Sequence, residues 1–328
     1  MNTSMNKHIA LALVPFGLVA MMSLTGLSGC SAKNSPQAAQ AVHFAKDPSR
    51  TTFKTPEEAV AAIAGIAGQG DAQKVEAIFG AGSADLIHSG DEVSDRERAL
   101  EIKALIDERV AFENLDARTK VPVFGNDQWP FPIPLVKVSG GWQFDTEAGR
   151  EEIANRRIGI NEIRTLATLH AYVDAQREYF AGRQDGRTGV YAKRVISSKG
   201  KKDGLYWPTP EGSKPSPLGP LVADATAEGY STENTEPTPL HGYFYRPLTA
   251  QGANAPGGAK NYVDSRSNMT KGFAMVAWPA RHGNSGQMTF LVNDQGIVFQ
   301  KDLGEQTAEI AAAIKAFDPD ESWAPTGD

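Results

Sequence analysis

The chain contains one cysteine among 328 residues, and that scarcity excludes more than any motif does. A single thiol closes no disulfide within a chain and builds no multi-cysteine metal site. Long basic runs do not stand out: 33 Lys and Arg face 39 Asp and Glu, a formal charge of −6, so no nucleic-acid partner is expected. Also missing are a Gly-x-Ser-x-Gly elbow, a His-Glu-x-x-His pair and the Gly-Lys-Ser/Thr that opens a phosphate-loop helix, although residues 251–258 are glycine-rich. These absences remove the commonest signatures of serine hydrolase, metalloprotease and nucleotide chemistry, and no cofactor is expected. No apolar run reaches the roughly 20 residues that a membrane-crossing helix needs. The longest, Ile9 to Met22, is interrupted by Pro15 and Gly17.

Lys7 precedes that run and small residues follow it, the layout of a secretory signal. The segment ends Leu27-Ser28-Gly29-Cys30, which resembles a bacterial lipobox. An ordinary signal peptide with an incidental cysteine is the alternative; the lipobox is preferred because the only cysteine falls at the one position the motif requires. The expectation is a signal in residues 1–29 and Cys30 as a lipidated first residue that ties the chain to a membrane, each buried acyl methylene adding about 0.8 kcal/mol. Losing Lys7 with the signal takes the charge from 33 − 39 to 32 − 39, or −7. Ser31 in place of Asp after the cysteine resembles the Gram-negative sorting pattern for the outer membrane, which implies a periplasm-facing protein. Residues 30–50, rich in Ala, Gln, Ser and Pro, are expected to be a flexible tether.

An α+β fold in two folded segments is expected. Residues 51–148 form a small helical-plus-strand domain. Thr55, Pro56 and Glu58 predict a capped helix to about Gly68, Asp71 opens a second that ends near Gly80, and Ser94 with Glu97 boxes a third that runs through Val110. Thr119–Phe124, Ile133–Val138 and Trp142 to Phe144 are extended, with prolines at 130, 132 and 134 pointing to an edge or irregular strand. Residues 149–318 start with a long helix, from about Gly149 to Gly182. Its stripe of Ile163, Leu166, Leu169, Val173 and Phe180 should cover a four-stranded antiparallel sheet. The strands are Gly242–Leu248, Gly272–Pro279, Met288–Val292 and Ile297–Lys301, the last pair joined by a turn from Asn293 to Gly296. Residues 200–239 are an irregular insertion, Glu305–Phe317 a closing helix, and 319–328 a tail.

One long helix followed by a four-stranded antiparallel sheet resembles the globular part of type IV pilins and pseudopilins. Asn161-Glu162 leading into Leu166 and Tyr179 carry that resemblance on the helix, and Ala277-Trp278-Pro279, Gly283 to Gly286 and Asp294 to Ile297 carry it in the sheet. The apolar spine that pilins join directly to this helix is missing, which leaves filament assembly outside the resemblance. A second resemblance spans Phe53 to Trp323. Trp129-Pro130-Phe131-Pro132-Ile133-Pro134-Leu135, Arg156-Arg157-Ile158-Gly159-Ile160-Asn161-Glu162, Asp203-Gly204-Leu205-Tyr206-Trp207-Pro208 and His241-Gly242-Tyr243 are similar to the bacterial exported proteins grouped as domain of unknown function 2950. That resemblance implies an envelope protein and supplies no catalytic residues.

The catalytic candidates are His241 and His282, with Asp302, Asp264 and Asp294 as nearby carboxylates, because an imidazole oriented by a carboxylate moves protons near neutral pH. The competing reading makes both histidines turn or strand-edge residues bonded to backbone. Asp264, Asn268, Asn293 and Asp294 are oxygen donors of the kind calcium takes, but their spacing fits no calcium loop and no metal site is expected. Arg157 or Arg164 is expected either on a solvated face or paired with Glu162 or Asp203 to pin the insertion. Trp129, Phe131, Tyr206, Trp207 and Tyr243 either staple irregular chain to the cores or form a contact surface. Three functions follow: a non-catalytic interaction or assembly module with an envelope protein partner, which leads; a binding protein for a small or polymeric envelope ligand; and an envelope-polymer hydrolase using His241 or His282.

Overall fold

The computed structural model describes residues 45–232 and 237–327. The signal, Cys30 and the tether up to residue 44 lie outside the described residues. Thr55 caps α1 (Pro56–Ile66) by accepting the Glu58 amide, and the Glu58 carboxylate reaches back to the Lys54 amide, one residue outside a strict capping box. Asp71 caps α2 (Ala72–Phe79). The next helix, α3 (Glu92–Glu108), begins before the expected Ser94, because the Asp91 carboxylate accepts the Ser94 amide and so caps it. It also stops short of Val110, which opens a strand that the sequence reading had placed in the helix.

That strand, β1 (Val110–Asn114), pairs with β2 (Thr119–Phe124), followed by β3 (Trp129–Pro130), β4 (Leu135–Val138) and β5 (Gly141–Phe144). The sheet is antiparallel in the order β1-β2-β4-β5, with the two-residue β3 also on β2. The prolines hold β3 that short, since each withholds an amide from the ladder. Phe53, Val60, Ile63, Phe79, Phe124 and Phe144 are buried together between this sheet and the first helices.

The long helix α4 (Thr146–Ala181) has 36 residues, starts on an Asp145 cap and is about 54 Å long at the usual rise. Its first turns pack on the N-terminal core through Ile153, and its last turns place Leu169, Tyr172, Val173 and Tyr179 in a second apolar core. Of the expected stripe, Leu166, Leu169 and Val173 pack in the second core, with Tyr172 and Tyr179 beside them as the spacing implies, and only Ile163 and Phe180 fall outside it. Thr165, Leu169, Tyr172, Gln176 and Tyr179 keep helical spacing inward, while Ile163 is 65% exposed and Phe180 36% exposed. Phe180 stacks on Tyr191 instead, ring centroids 4.5 Å apart.

The insertion, expected to be ordered but irregular, carries regular elements: β7 (Gly204–Tyr206) pairs in parallel with β6 (Arg194–Ile196) just ahead of it, and α5 (Gly219–Glu228) ends at Gly229 in a left-handed conformation. Then come β8 (Tyr243–Leu248), the short pair β9 (Ala250–Gln251) and β10 (Lys260–Asn261), then β11 (Ala274–Pro279), β12 (Met288–Asn293) and β13 (Val298–Asp302). The four long strands form the expected antiparallel sheet, and β14 (Ala324–Pro325) adds a fifth at its edge, in the order β14-β13-β12-β11-β8. Helix α6 (Thr307–Ala313) is shorter than expected. The chain leaves it at Ile314, so Phe317 drops fully into the second core and its amide bonds Ala250 carbonyl, whereas Ile310 is 39% exposed. The chain is thus α+β with two apolar cores joined by α4, and the described residues fall in one compact unit.

Candidate functional site

The middle of α4 is polar and buried, and the chemistry-bearing residues gather there. Arg157 is 5% exposed and Asn161 1% exposed. Arg157 donates to Asn284 Oδ1 at 2.5 Å and to the Leu86 carbonyl; Asn161 donates to the Ser285 carbonyl at 2.7 Å and accepts from Arg98. The expected pairing of Arg157 or Arg164 with Glu162 or Asp203 does not form. Arg164 reaches Glu97 at 3.5 Å, while Glu162 accepts the Gln287 and Met288 amides at 3.0 and 2.9 Å. Burial, followed by the neighbouring Arg157 and Arg164, pushes the Arg98 guanidinium down to about 10. Burial also raises the Asp95 carboxyl.

His241 enters this layer from the loop before β8. Its backbone sits at φ 51, a left-handed conformation costly for a residue with a Cβ. Gly242 follows at φ 78, where an added Cβ would lie 2.4 Å from Asn161 Nδ2. Asp91 anchors this backbone. One of its oxygens caps α3, and the other accepts the Gly242 amide at 2.7 Å and the Tyr230 hydroxyl at 2.8 Å. The Tyr230 oxygen in turn accepts the His241 amide at 3.1 Å. His241 Nε2 lies 2.6 Å from Glu228 Oε2 at the end of α5, and its ring meets Tyr230 edge-on. Nδ1 is buried and has no hydrogen-bond partner among the described residues. Burial first, then the Asp91 charge, holds the Tyr230 phenol far above its ordinary range; Tyr243 is raised by burial and Glu162.

His282 stands in the turn between β11 and β12, with Nε2 2.8 Å from Asp302 Oδ1. Asp302 also accepts the Gly304 amide at 2.8 Å and the Gln287 amide side chain at 2.5 Å. The Gly304 amide, then the Gln287 and His282 side chains, hold its carboxyl below the usual range. Each histidine therefore has a carboxylate, but a different one. The nearby Ser285 hydroxyl is committed, accepting the Arg281 amide and donating to the Arg281 carbonyl.

The remaining candidates scatter. Asp264 closes its own turn by accepting the Arg266 and Asn268 amides, and Asn293 does the same for Gln295. Trp129 and Phe131 pack with the N-terminal core, Tyr206, Trp207 and Tyr243 with the second. Phe131 is 6% exposed and Tyr243 fully buried, so the five aromatics form no common surface. What the sequence reading missed is a cleft of about 500 Å³ at the far end of α4, among whose lining residues are Arg187, Lys193, Arg194 and Lys201. The signal was local: seven Lys or Arg against a single acid between Arg183 and Lys202, hidden by the balanced whole-chain charge.

Searches of curated proteins and of solved structures each found no match. The family model described as protein of unknown function (DUF2950) matches residues 50–326, and the chain belongs to that family.

Proposed function

We propose that the protein is a cell-envelope lipoprotein, anchored through Cys30 at the outer membrane and facing the periplasm, that acts by contact and not by catalysis. The observation that carries this reading is how the two histidine–carboxylate pairs are used. Glu228–His241 lies within a network that fixes the loop before β8, and Asp302–His282 closes the ends of β12 and β13. The Ser285 hydroxyl near His282 is bonded to Arg281, so a polymer-cleaving step there would have to use water. The anchor rests on the lone cysteine ending Leu27-Ser28-Gly29-Cys30.

A second reading has one specific observation behind it. His241 keeps a buried Nδ1 without a partner among the described residues while Glu228 fixes Nε2, the arrangement of an oriented base in an envelope-polymer hydrolase. The test is metabolic labelling with a palmitate analogue, fractionation and crosslinking in a Gram-negative host. The expected result is a lipid label and an outer-membrane position that Cys30→Ala abolishes, with one stoichiometric protein crosslink that survives His241→Gln and His282→Gln. Label retained in Cys30→Ala overturns the anchor. Release of fragments from envelope polymer that His241→Gln abolishes overturns the non-catalytic reading in favour of the hydrolase.

A further inference from the structure

The cleft at the C-terminal end of α4 concentrates positive charge that the fold neutralises only in part. Its cations are Arg187, Lys193, Arg194 and Lys201, and its only acid is Asp203. Asp203 is already committed: its oxygens accept the Ser198 amide at 2.7 Å and the Ser198 hydroxyl at 2.8 Å, with Arg194 at 3.9 Å. Lys193 donates to the Ser267 carbonyl, while Arg187 and Lys201 pair with no carboxylate among the described residues. Arg194 also donates to the Ser198 hydroxyl at 2.7 Å, but in a chain whose net charge is −6 gathering four cations around one spent carboxylate remains a self-repulsive arrangement.

The backbone beneath each cation is nevertheless rigidly specified. Arg187 ends a two-residue turn in which Gln184 and Arg187 exchange both backbone hydrogen bonds, with Asp185 at φ 47 and Gly186 at φ 79. Just before Lys193, the fully buried Gln176 side chain of α4 clamps Ala192, donating to its carbonyl at 2.7 Å and accepting its amide at 2.9 Å. Arg194 is held in β6 by pairing with β7. Lys201 closes the turn from Ser198, with Gly200 at φ 75. Fixed bases beneath four cationic side chains, of which only those of Lys193 and Arg194 donate among the described residues and then chiefly to neutral oxygens, are what a preorganised anion receptor requires.

We propose that this cleft binds a phosphate-bearing ligand, its phosphate held by Arg187, Lys193, Arg194 and Lys201. Guanidinium forks match phosphate oxygens two at a time, and lysines add mobile point charges. The cavity, about 500 Å³, lies within the roughly 300–1,000 Å³ of small-ligand sites, so it has room for the group that carries the phosphate as well. Tyr179, Val190, Tyr191 and Met269 supply the less polar wall for that group. This inference is independent of how the chain is anchored.

The test uses the full chain in a nonionic detergent and three probes in calorimetry: inorganic phosphate, glycerol 3-phosphate and monomeric dihexanoyl phosphatidylglycerol. Saturable binding that weakens with salt is expected, and Arg187→Glu with Lys201→Glu should weaken it by about tenfold or more. Lys54→Glu with Lys315→Glu makes the same charge change elsewhere and should leave it intact. Glycerol 3-phosphate binding as well as the short lipid points to a soluble phosphate compound; tighter binding of the lipid points to a membrane headgroup. Arg187→Gln with Lys201→Gln guards against misfolding: its urea midpoint should equal or exceed the parent's without probe and should not rise when probe is added. Absence of saturable binding by all three probes, or equal losses in the two charge-reversed pairs, overturns the proposal.

Discussion

Arg156 and Arg157 are adjacent in sequence, and nothing in the sequence separates them. In the fold Arg156 pairs with Glu152 and lies over the Trp129 ring, half-exposed, whereas Arg157 is 5% exposed and ties the Leu86 carbonyl to Asn284. Arg157→Ala removes hydrogen bonds from a charged donor and leaves buried acceptors unmet, so it should cost about 3 kcal/mol. Arg156→Ala should cost less than about 1 kcal/mol. Urea unfolding of the two variants checks this, and equal midpoints would contradict it. Asp302 makes a pH prediction. Its folded carboxyl is depressed, chiefly by the Gly304 amide, so the stability it contributes is present above the unfolded value of about 3.9 and is lost as pH falls toward the folded value. Asp302→Asn should therefore flatten part of the acid-side loss of stability below about pH 4. Urea midpoints measured from neutral pH downward test it; curves that stay parallel throughout would remove Asp302 from the acid response.

At the scale of the element, the existence and order of the helices and the long strands were legible because caps, periodicity and turn residues are local, while the ends of α3 and α6 were not. Asp71, Asn293 and Gly296 act where their chemistry predicts, whereas the Asp145 cap starts α4 ahead of the expected Gly149. Local rules failed where a residue serves two elements. Ser94 with Glu97 imitates a capping box, but Asp91 caps α3 because its second oxygen is also needed by Gly242 and Tyr230. Ile163 looks like a core residue by hydrophobicity, yet the face of α4 that packs inward includes Thr165, Thr168 and Gln176. A sequence pattern that counts only apolar residues misses such a face. The double duty of Asp91 can be separated experimentally. Asp91→Ser keeps a capping oxygen and loses the reach to Gly242 and Tyr230; Asp91→Ala loses both. Alanine should be the more destabilising by about 1 kcal/mol, the usual worth of a cap. Guanidinium unfolding of both variants reads the difference, and indistinguishable midpoints would mean that the cap contributes nothing here.

For the whole molecule, composition announced an α+β protein but concealed the two features that organise it: the polar layer between the cores and the cationic cleft. The polar layer arises from residues distant in sequence and leaves no contiguous motif, whereas the cleft's cations come from one short stretch, Arg183 to Lys202, whose local charge the balanced whole-chain count hides. The polar layer has a consequence for cooperativity. Arg157 joins Leu86 to Asn284, Arg281 donates to the His88 carbonyl, and Asp91 holds Gly242, so side chains bonded to one core's elements are spent on the other's. Opening either core alone would strand these groups in a partly buried layer, a penalty of about 1–3 kcal/mol each. The two cores should therefore unfold together. Trp142 reports on the N-terminal core and Trp278 on the second, so variants that keep only one or the other tryptophan should give the same urea midpoint by fluorescence. Combining Arg157→Ala with Asp91→Ala removes the principal links, and the two midpoints should then separate. Midpoints that already differ with the links intact would show that the polar layer does not couple the cores.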